Sequence, residues 1–315
     1  MDTDRDRVEA ALIAAVRTRD AYLTEIASHL ITAGGKRLRP VMTLAAAQVG
    51  NSLPISDEVI SGGIACELVH LGSLYHDDVM DEGTTRRGVE TVNAKWGNLQ
   101  AILAGDFLLS RASEIAASLG TEIAGLLART IGQLCEGQIE ELRHTYDIAR
   151  TVPSYLLSIE GKTASLYATA ARVGAIVAGH NRSEIDALTS YGTSFGMVFQ
   201  IVDDILDIVS TDDELGKPAG HDMEEGVYTL PVLLTLAAGG PPAAELRDLL
   251  GKPLDPIERE KALYIVRSNS GVQSAVDSAR SYVAMAQAAC NNLPLGGATE
   301  ALLAAPAVLL ESVIN

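Results

Sequence analysis

The chain has 315 residues, with 47% hydrophobic side chains but only 4% aromatic ones, a mix that favours close-packed helices over sheets. Its formal net charge of -17 argues against nucleic-acid binding through the molecule as a whole. The three cysteines, Cys66, Cys135 and Cys290, form no CxxC pair and are expected to be buried free thiols.

Helical periodicity dominates in chain order. It predicts helices near 6–32, 37–49, 57–81, 94–118, 121–146, 153–179 with a break near Gly161, and 183–210. Further helices are expected near 230–238, 256–269, 272–292 and 297–313, and no alternating strand pattern is present. Gly34-Gly35, Pro54, Gly83, Gly120, Pro153 and the run from Gly216 to Gly220 punctuate the pattern. The charged start MDTDRDRVEAAL is not a signal peptide, and the longest apolar stretch, 167–179, is short and broken by Arg172. One all-α domain spanning 1–315 is expected, in a cytoplasmic protein that does not cross a membrane. The Pro/Gly-rich stretch 239–256 sets off a small C-terminal helical lobe without making a domain boundary.

Two acidic motifs interrupt this apolar pattern. HLGSLYHDDVMDEGTTRRG carries Asp77, Asp78 and Asp81, and FQIVDDILD carries Asp203, Asp204 and Asp207. On a helix these spacings gather three carboxylates near one face, which destabilises it unless a cation neutralises them. The flanking residues, Leu74, Tyr75, Val79 and Met80 in one case and Val202, Ile205 and Leu206 in the other, do not suit a solvated acidic face. Oxygen-only ligands point to Mg2+, Mn2+ or Ca2+ rather than zinc, and the spacing is not that of an EF-hand loop. Mg2+ held this way grips a diphosphate and promotes its departure from carbon.

Basic residues stand where such a ligand needs them. GGKRLRP supplies Lys36, Arg37 and Arg39 after a Gly turn at a helix start, TTRRG supplies Arg86 and Arg87, GKT supplies Lys162, and LGKP supplies Lys217. His70 is placed to share a cavity with Asp77, whereas His76 reads as structural. Gln200 precedes Asp204 by one turn, and its amide and the Thr163 hydroxyl can stabilise a nearby carbocation by dipole. No Ser/His/Asp or Cys/His constellation competes.

The ordered stations GGKRLRP, HLGSLYHDDVMDEGTTRRG, GQIEE, GKT, FQIVDDILD and GKPAGHDMEEGVYTLP resemble those of the trans-type polyprenyl diphosphate synthases, across residues 34 to 231. The resemblance implies an all-α helical bundle of the isoprenoid synthase type with a central active-site cavity. It implies a transferase that condenses isopentenyl diphosphate with an allylic diphosphate by ionisation, condensation and elimination. By the same resemblance, Asp77, Asp81 and Asp203 are the principal Mg2+ ligands, with Asp78, Asp204 and Asp207 assisting. The cofactor implied is Mg2+, as a trinuclear cluster with the substrate diphosphate, or Mn2+ in its place. Arg86, Lys162 and Lys217 are then contacts to the allylic diphosphate, while Lys36, Arg39, His70 and Arg87 form the isopentenyl diphosphate site. Gln138 supports the first motif, and Lys162, Thr163 and Gln200 serve at the reacting carbons.

A homodimer is implied, and a small accessory subunit is a further partner to consider. Val227 departs from the family, which commonly has Lys there, so one phosphate contact is missing. Small residues at Gly72 and Ser73, where short-chain members have aromatics, predict a channel for a medium or long product. Gly72→Phe is expected to shorten that product, and Leu127, Ile131 and Leu134 to floor the channel. A class I terpene cyclase fits poorly, because Asp207 and Thr211 stand where its second metal motif needs Ser/Thr and Glu. The paired basic set also disfavours a head-to-head synthase, and the six intact aspartates disfavour a non-catalytic subunit.

Overall fold

A computed structural model describes residues 2–210 and 219–313. They form two compact units, each built from separate stretches of chain. One comprises Met1–Ile131, Leu166–Thr189 and Leu293–Thr299; the other comprises Gly132–Ser165, Ser190–Asn292 and Glu300–Asn315.

The first unit begins with α1 (Asp2–Ala15) and α2 (Ala21–Thr32). A single helix was expected over 6–32, but Asp20 ends that continuity. Its carboxylate accepts the Tyr22 and Leu23 backbone N–H groups at 2.9 and 3.2 Å and so starts a new helix. After α3 (Leu38–Ala47) comes α4 (Asp57–Met80), capped by Ser56, whose hydroxyl accepts the Val59 N–H. Ile64, Leu68, Val69, Leu71 and Tyr75 are buried along α4, so this helix forms the centre of its unit.

A two-stranded hairpin follows, β1 (Thr85–Arg86) against β2 (Val89–Glu90), too short for any alternation to show in sequence. Its tip places Arg87 and Gly88 at φ +54° and +76°, as a tight two-residue turn requires. The helix expected over 94–118 is split into α5 (Val92–Trp96) and α6 (Asn98–Ser118), because Gly97 adopts φ +94° between them.

The helix α7 (Thr121–Leu142) is four residues shorter than the expected 121–146, and its residues from Gly132 onward belong to the second unit. The Gly161 position is not a break. Helix α8 (Val152–Ile159) runs through one π turn, Glu160–Ala164, into α9 (Ser165–Val177). The close approach of two glycines accompanies this turn. A Cβ added at Gly137 would lie 2.4 Å from the Lys162 nitrogen, and one at Gly161 would lie 2.8 Å from the Gln133 carbonyl. Only glycine lets these two backbones meet.

Helix α10 (Arg182–Val209) carries Val198, Ile201, Val202, Ile205 and Ile208 into the core of the second unit. The short α11 (His221–Glu224) precedes α12 (Leu230–Ala238), α14 (Pro256–Arg267), α15 (Gly271–Ala289) and α16 (Gly297–Glu311). Between α12 and α14, the Pro/Gly-rich stretch expected to set off a C-terminal lobe contains a helix, α13 (Gly240–Leu249), with prolines in its first turn, where no N–H is needed. Tyr228, Leu233, Leu246, Leu263 and Val266 close this core.

Cys66 and Cys290 are buried as expected, but Cys135 is exposed. Among the described residues no helix is long and apolar enough to cross a membrane.

Candidate active site

In the first unit, Asp77 and Asp78 occupy the last turn of α4, and Asp81 is the residue that ends it. Asp78 is buried, Asp77 half-buried and Asp81 exposed. The hairpin folds back so that Arg86 Nε donates to Asp78 Oδ1 at 2.6 Å. Asn93 Nδ2 donates to the carbonyls of both Asp78 and Gly83 at 2.9 Å, and Thr91 Oγ1 donates to Gly83 O at 2.7 Å. The turn after the motif is therefore tied down by residues that no motif singled out. Burial pushes the Asp78 carboxyl above the usual carboxylate range, with Arg86 opposing the shift. Asp78 Oδ2 is buried without a hydrogen-bond partner among the described residues.

The same unit gathers the basic residues of GGKRLRP and TTRRG. Arg37, at φ +53°, is wholly buried and bound by Glu9, through Nε at 2.7 Å and Nη2 at 3.0 Å. It belongs to the scaffold. Arg39 is half-buried, its guanidinium 4.5 Å from the centre of the Tyr167 ring, and Lys36 is exposed. Arg87 Nη1 donates to Leu30 O at 3.0 Å and to Gly34 O. His70 is half-buried, and burial together with the charges of Arg39, Arg87, Arg86 and Arg37 holds its ring well below the usual histidine range, hence neutral. Arg39, Arg87 and His70 thus share one strongly positive setting.

Two residues below the first motif behave differently from one another. A Cβ added at Gly72 would lie 3.1 Å from the Gly105 carbonyl and 3.2 Å from Leu109 Cγ. Gly72 faces the backbone of α6 rather than open space, which corrects the expectation that it lines a channel. Ser73 is half-buried, its hydroxyl donating to His70 O at 2.8 Å. His76 packs over Gly105, with Nε2 3.2 Å from Ile102 O. Leu127 is buried, whereas Ile131 and Leu134 are half-buried.

In the second unit, a chain of hydrogen bonds runs under the second motif. Thr163 Oγ1 donates to Gln200 Oε1 at 2.7 Å, Gln200 Nε2 donates to Asp204 Oδ1 at 2.8 Å, and Tyr155 OH donates to Asp204 Oδ2 at 2.5 Å. Asp204 and Asp207 are buried and Asp203 is exposed. Burial, then the charge of Asp222, pushes the Asp204 carboxyl well above its usual range, and the Tyr155 and Gln200 hydrogen bonds oppose this. The Asp222 N–H donates to Asp207 Oδ2 at 3.4 Å. Lys162, in the π turn, pairs with Glu141 Oε1 at 2.6 Å. Gln138 is half-buried, and its Oε1 has no hydrogen-bond partner among the described residues. Lys217 lies outside the described residues. Val227 is half-buried and its N–H donates to Asp222 O at 2.8 Å.

Tyr155, Asp222, Glu141, Thr91 and Asn93 were not singled out from the sequence. Glu141 and Asp222 stand inside the stations GQIEE and GKPAGHDMEEGVYTLP. Tyr155 had no local signal, since its partner is 49 residues away.

Among the described residues, no three His, Cys, Asp or Glu side chains close on one point as a ready-made metal cage. The donors still fit a hard cation. They are carboxylate oxygens, one of them buried and unpartnered on Asp78, and Mg2+ is ordinarily completed by water and phosphate oxygens.

The chain belongs to the polyprenyl synthetase family, whose profile matches residues 20–266. It is 42% identical over 282 residues to the nonaprenyl diphosphate synthase of Mycobacterium tuberculosis, covering 89% of this chain and 84% of that one. It is 41% identical over 278 residues to heptaprenyl diphosphate synthase component 2 of Geobacillus stearothermophilus, covering 84% and 86%. A polyprenyl synthase from Caulobacter crescentus, crystallised with calcium and isoprenyl diphosphate, superposes with a TM-score of 0.92 at 34% identity, covering 98% of this chain and 94% of that one. The fold is the all-α isoprenoid synthase fold, and the family's enzymes are transferases that depend on Mg2+.

Proposed function

We propose that the protein condenses isopentenyl diphosphate with an allylic diphosphate, head to tail, to make a medium- or long-chain all-trans polyprenyl diphosphate. The observation that carries this reading is the parallel build of the two motifs. Each buries its second aspartate against a partner in its own unit, Asp78 on Arg86 and Asp204 on Tyr155 and Gln200, and leaves its first aspartate more open. The buried member braces the helix turn, and Asp77, Asp81 and Asp203 are the aspartates that would hold cations, with Asp207 assisting. Mg2+ held there, as a trinuclear cluster with the diphosphate or with Mn2+ in its place, would neutralise the oxygens that gain charge as the diphosphate leaves.

Arg86 gives its Nε–H to Asp78 and offers its terminal nitrogens to the allylic diphosphate, alongside Lys162 and Lys217. Arg39, Arg87, Lys36 and neutral His70 receive the isopentenyl diphosphate. Because the Thr163 proton is turned toward Gln200, its oxygen lone pairs are the part of the hydroxyl left to face a developing cation. The allylic carbon–oxygen bond breaks with its electron pair leaving on the diphosphate. The isopentenyl double bond then supplies the pair for the new carbon–carbon bond. Loss of a proton to the departed diphosphate restores a double bond, so no protein base is needed. Gln138 supports the first motif, and Val227 removes one phosphate contact without removing activity.

The names of the Mycobacterium and Geobacillus relatives support a product of this length class. The second name also favours a further reading, in which the chain is the catalytic component of a two-subunit enzyme; otherwise it acts as a homodimer. Asp77→Ala and Asp203→Ala test the assignment of the ligands. Each should lower product formation by roughly a hundredfold or more without loss of fold. Full activity in either variant would remove that aspartate from the metal site.

A further inference from the structure

We propose that Glu67 is a positioning residue of the isopentenyl diphosphate site, the buried counter-charge that keeps Arg87 and Arg39 gathered for a diphosphate. The inference rests on the function proposed above and names a residue that no motif supplies.

Four cationic side chains crowd the first turn of α3 and the hairpin tip. Around Gly35 the packing is so close that an added Cβ would lie 2.9 Å from Arg87 Nη1 and 3.1 Å from Arg37 Nη1. His70 feels the charges of Arg39, Arg87, Arg86 and Arg37 together. Unrelieved, like charges at such distances push one another toward solvent. Asp78 relieves Arg86, and two further carboxylates stand among the others. Glu9 is partly exposed and is spent on Arg37 through both of its oxygens. Glu67 is different: its side chain is 2% exposed, and among the described residues Oε1 receives a long contact from Arg37 Nη1 at 3.4 Å. Its Oε2 is buried without a hydrogen-bond partner among the described residues, and so is Arg39 Nε.

A buried carboxylate with an unspent oxygen is costly unless cations stand near it; here Arg37 lies 3.4 Å away and Arg87 feels its charge. Burial lowers the pKa of Arg87, the charge of Glu67 opposes that, and Arg37, Arg86 and Arg39 add to the lowering. Glu67 stands one helical turn before His70 on α4, so one helix sets both the counter-charge and the neutral ring of the same site. Among the described residues, Arg87 itself is anchored to the backbone carbonyls of Leu30 and Gly34, which hold it in place but do not offset its charge.

The test is steady-state kinetics of wild type, Glu67→Gln and Glu67→Asp, varying each substrate in turn, with thermal unfolding measured on the same preparations. Glu67→Gln should raise the KM for isopentenyl diphosphate about tenfold and leave the KM for the allylic diphosphate within about twofold. Glu67→Asp should fall between, and it carries the same test if the glutamine variant does not fold. An equal rise in both KM values, or no rise, overturns the inference. A fall in the isopentenyl KM also overturns it, because Glu67 would then act only as a charge opposing the anion. If wild type itself forms no condensation product, the proposed function fails, which is a different result from any of these.

Discussion

Thr163 donates its hydroxyl to the side-chain carbonyl of Gln200 at 2.7 Å across 37 residues of sequence. That bond fixes which way the Gln200 amide faces: its NH2 end is delivered to Asp204 at 2.8 Å. Thr163→Val leaves the Gln200 carbonyl without this donor and removes a lone-pair oxygen from the reacting carbons. A roughly tenfold or greater fall in kcat is expected, with KM for both substrates little changed. Rapid-quench measurement of a single condensation checks it, and an unchanged rate would take Thr163 out of the chemistry.

Tyr155 is the other brace on Asp204, wholly buried, with the Arg150 guanidinium 5.6 Å from its ring centre. Tyr155→Phe leaves a buried carboxylate oxygen without its donor. The expected cost is about 1–3 kcal/mol of stability. Urea unfolding reads the cost, and a Mg2+ titration of activity should show a higher half-saturating concentration. Wild-type behaviour in both would mean that Gln200 alone holds the motif.

The buried Asp204 also gives stability a definite pH dependence. Its folded pKa lies above the unfolded value, so the folded state binds the proton more tightly. Its contribution is full below about pH 4 and is lost as pH rises through the folded value. Asp204→Asn removes that loss. In EDTA, melting temperature against pH should decline less for the variant than for wild type, and above neutrality the variant should melt higher while being catalytically impaired. Parallel melting curves would contradict the burial argument.

The neighbours Gly72 and Ser73 should separate packing from product length. Gly72→Phe drives a ring against the Gly105 carbonyl and Leu109, so lowered thermal stability is expected rather than a clean change of product. Ser73, whose hydroxyl donates to His70 O within its own helix turn, is the position where Ser73→Phe should shorten the product without unfolding the protein. Product chromatography with a melting curve on each variant distinguishes the two. A stable Gly72→Phe enzyme with a shorter product would restore the channel reading.

The helices and both acidic motifs were legible because apolar periodicity and repeated carboxylates are local signals. Glu67 carries the same kind of local signal, an acid inside the apolar run from Ile64 to Leu71. Other features were not local. The Asp20 cap looks like any surface aspartate, the π turn depends on Gly137 meeting Gly161 across the fold, and Tyr155 reaches Asp204 only through tertiary packing. Gly72 shows the limit of spacing arguments: small side chains mark a channel and a close helix crossing alike.

Mass analysis of products from purified protein tests the central claim most directly. The reaction would hold labelled isopentenyl diphosphate and farnesyl or geranylgeranyl diphosphate, with Mg2+ or with EDTA. A Mg2+-dependent ladder of linear prenyl diphosphates ending at medium or long chains is the expected result. Cyclic hydrocarbon from the allylic substrate alone, or no condensation by folded protein, would contradict a self-sufficient chain-elongating synthase.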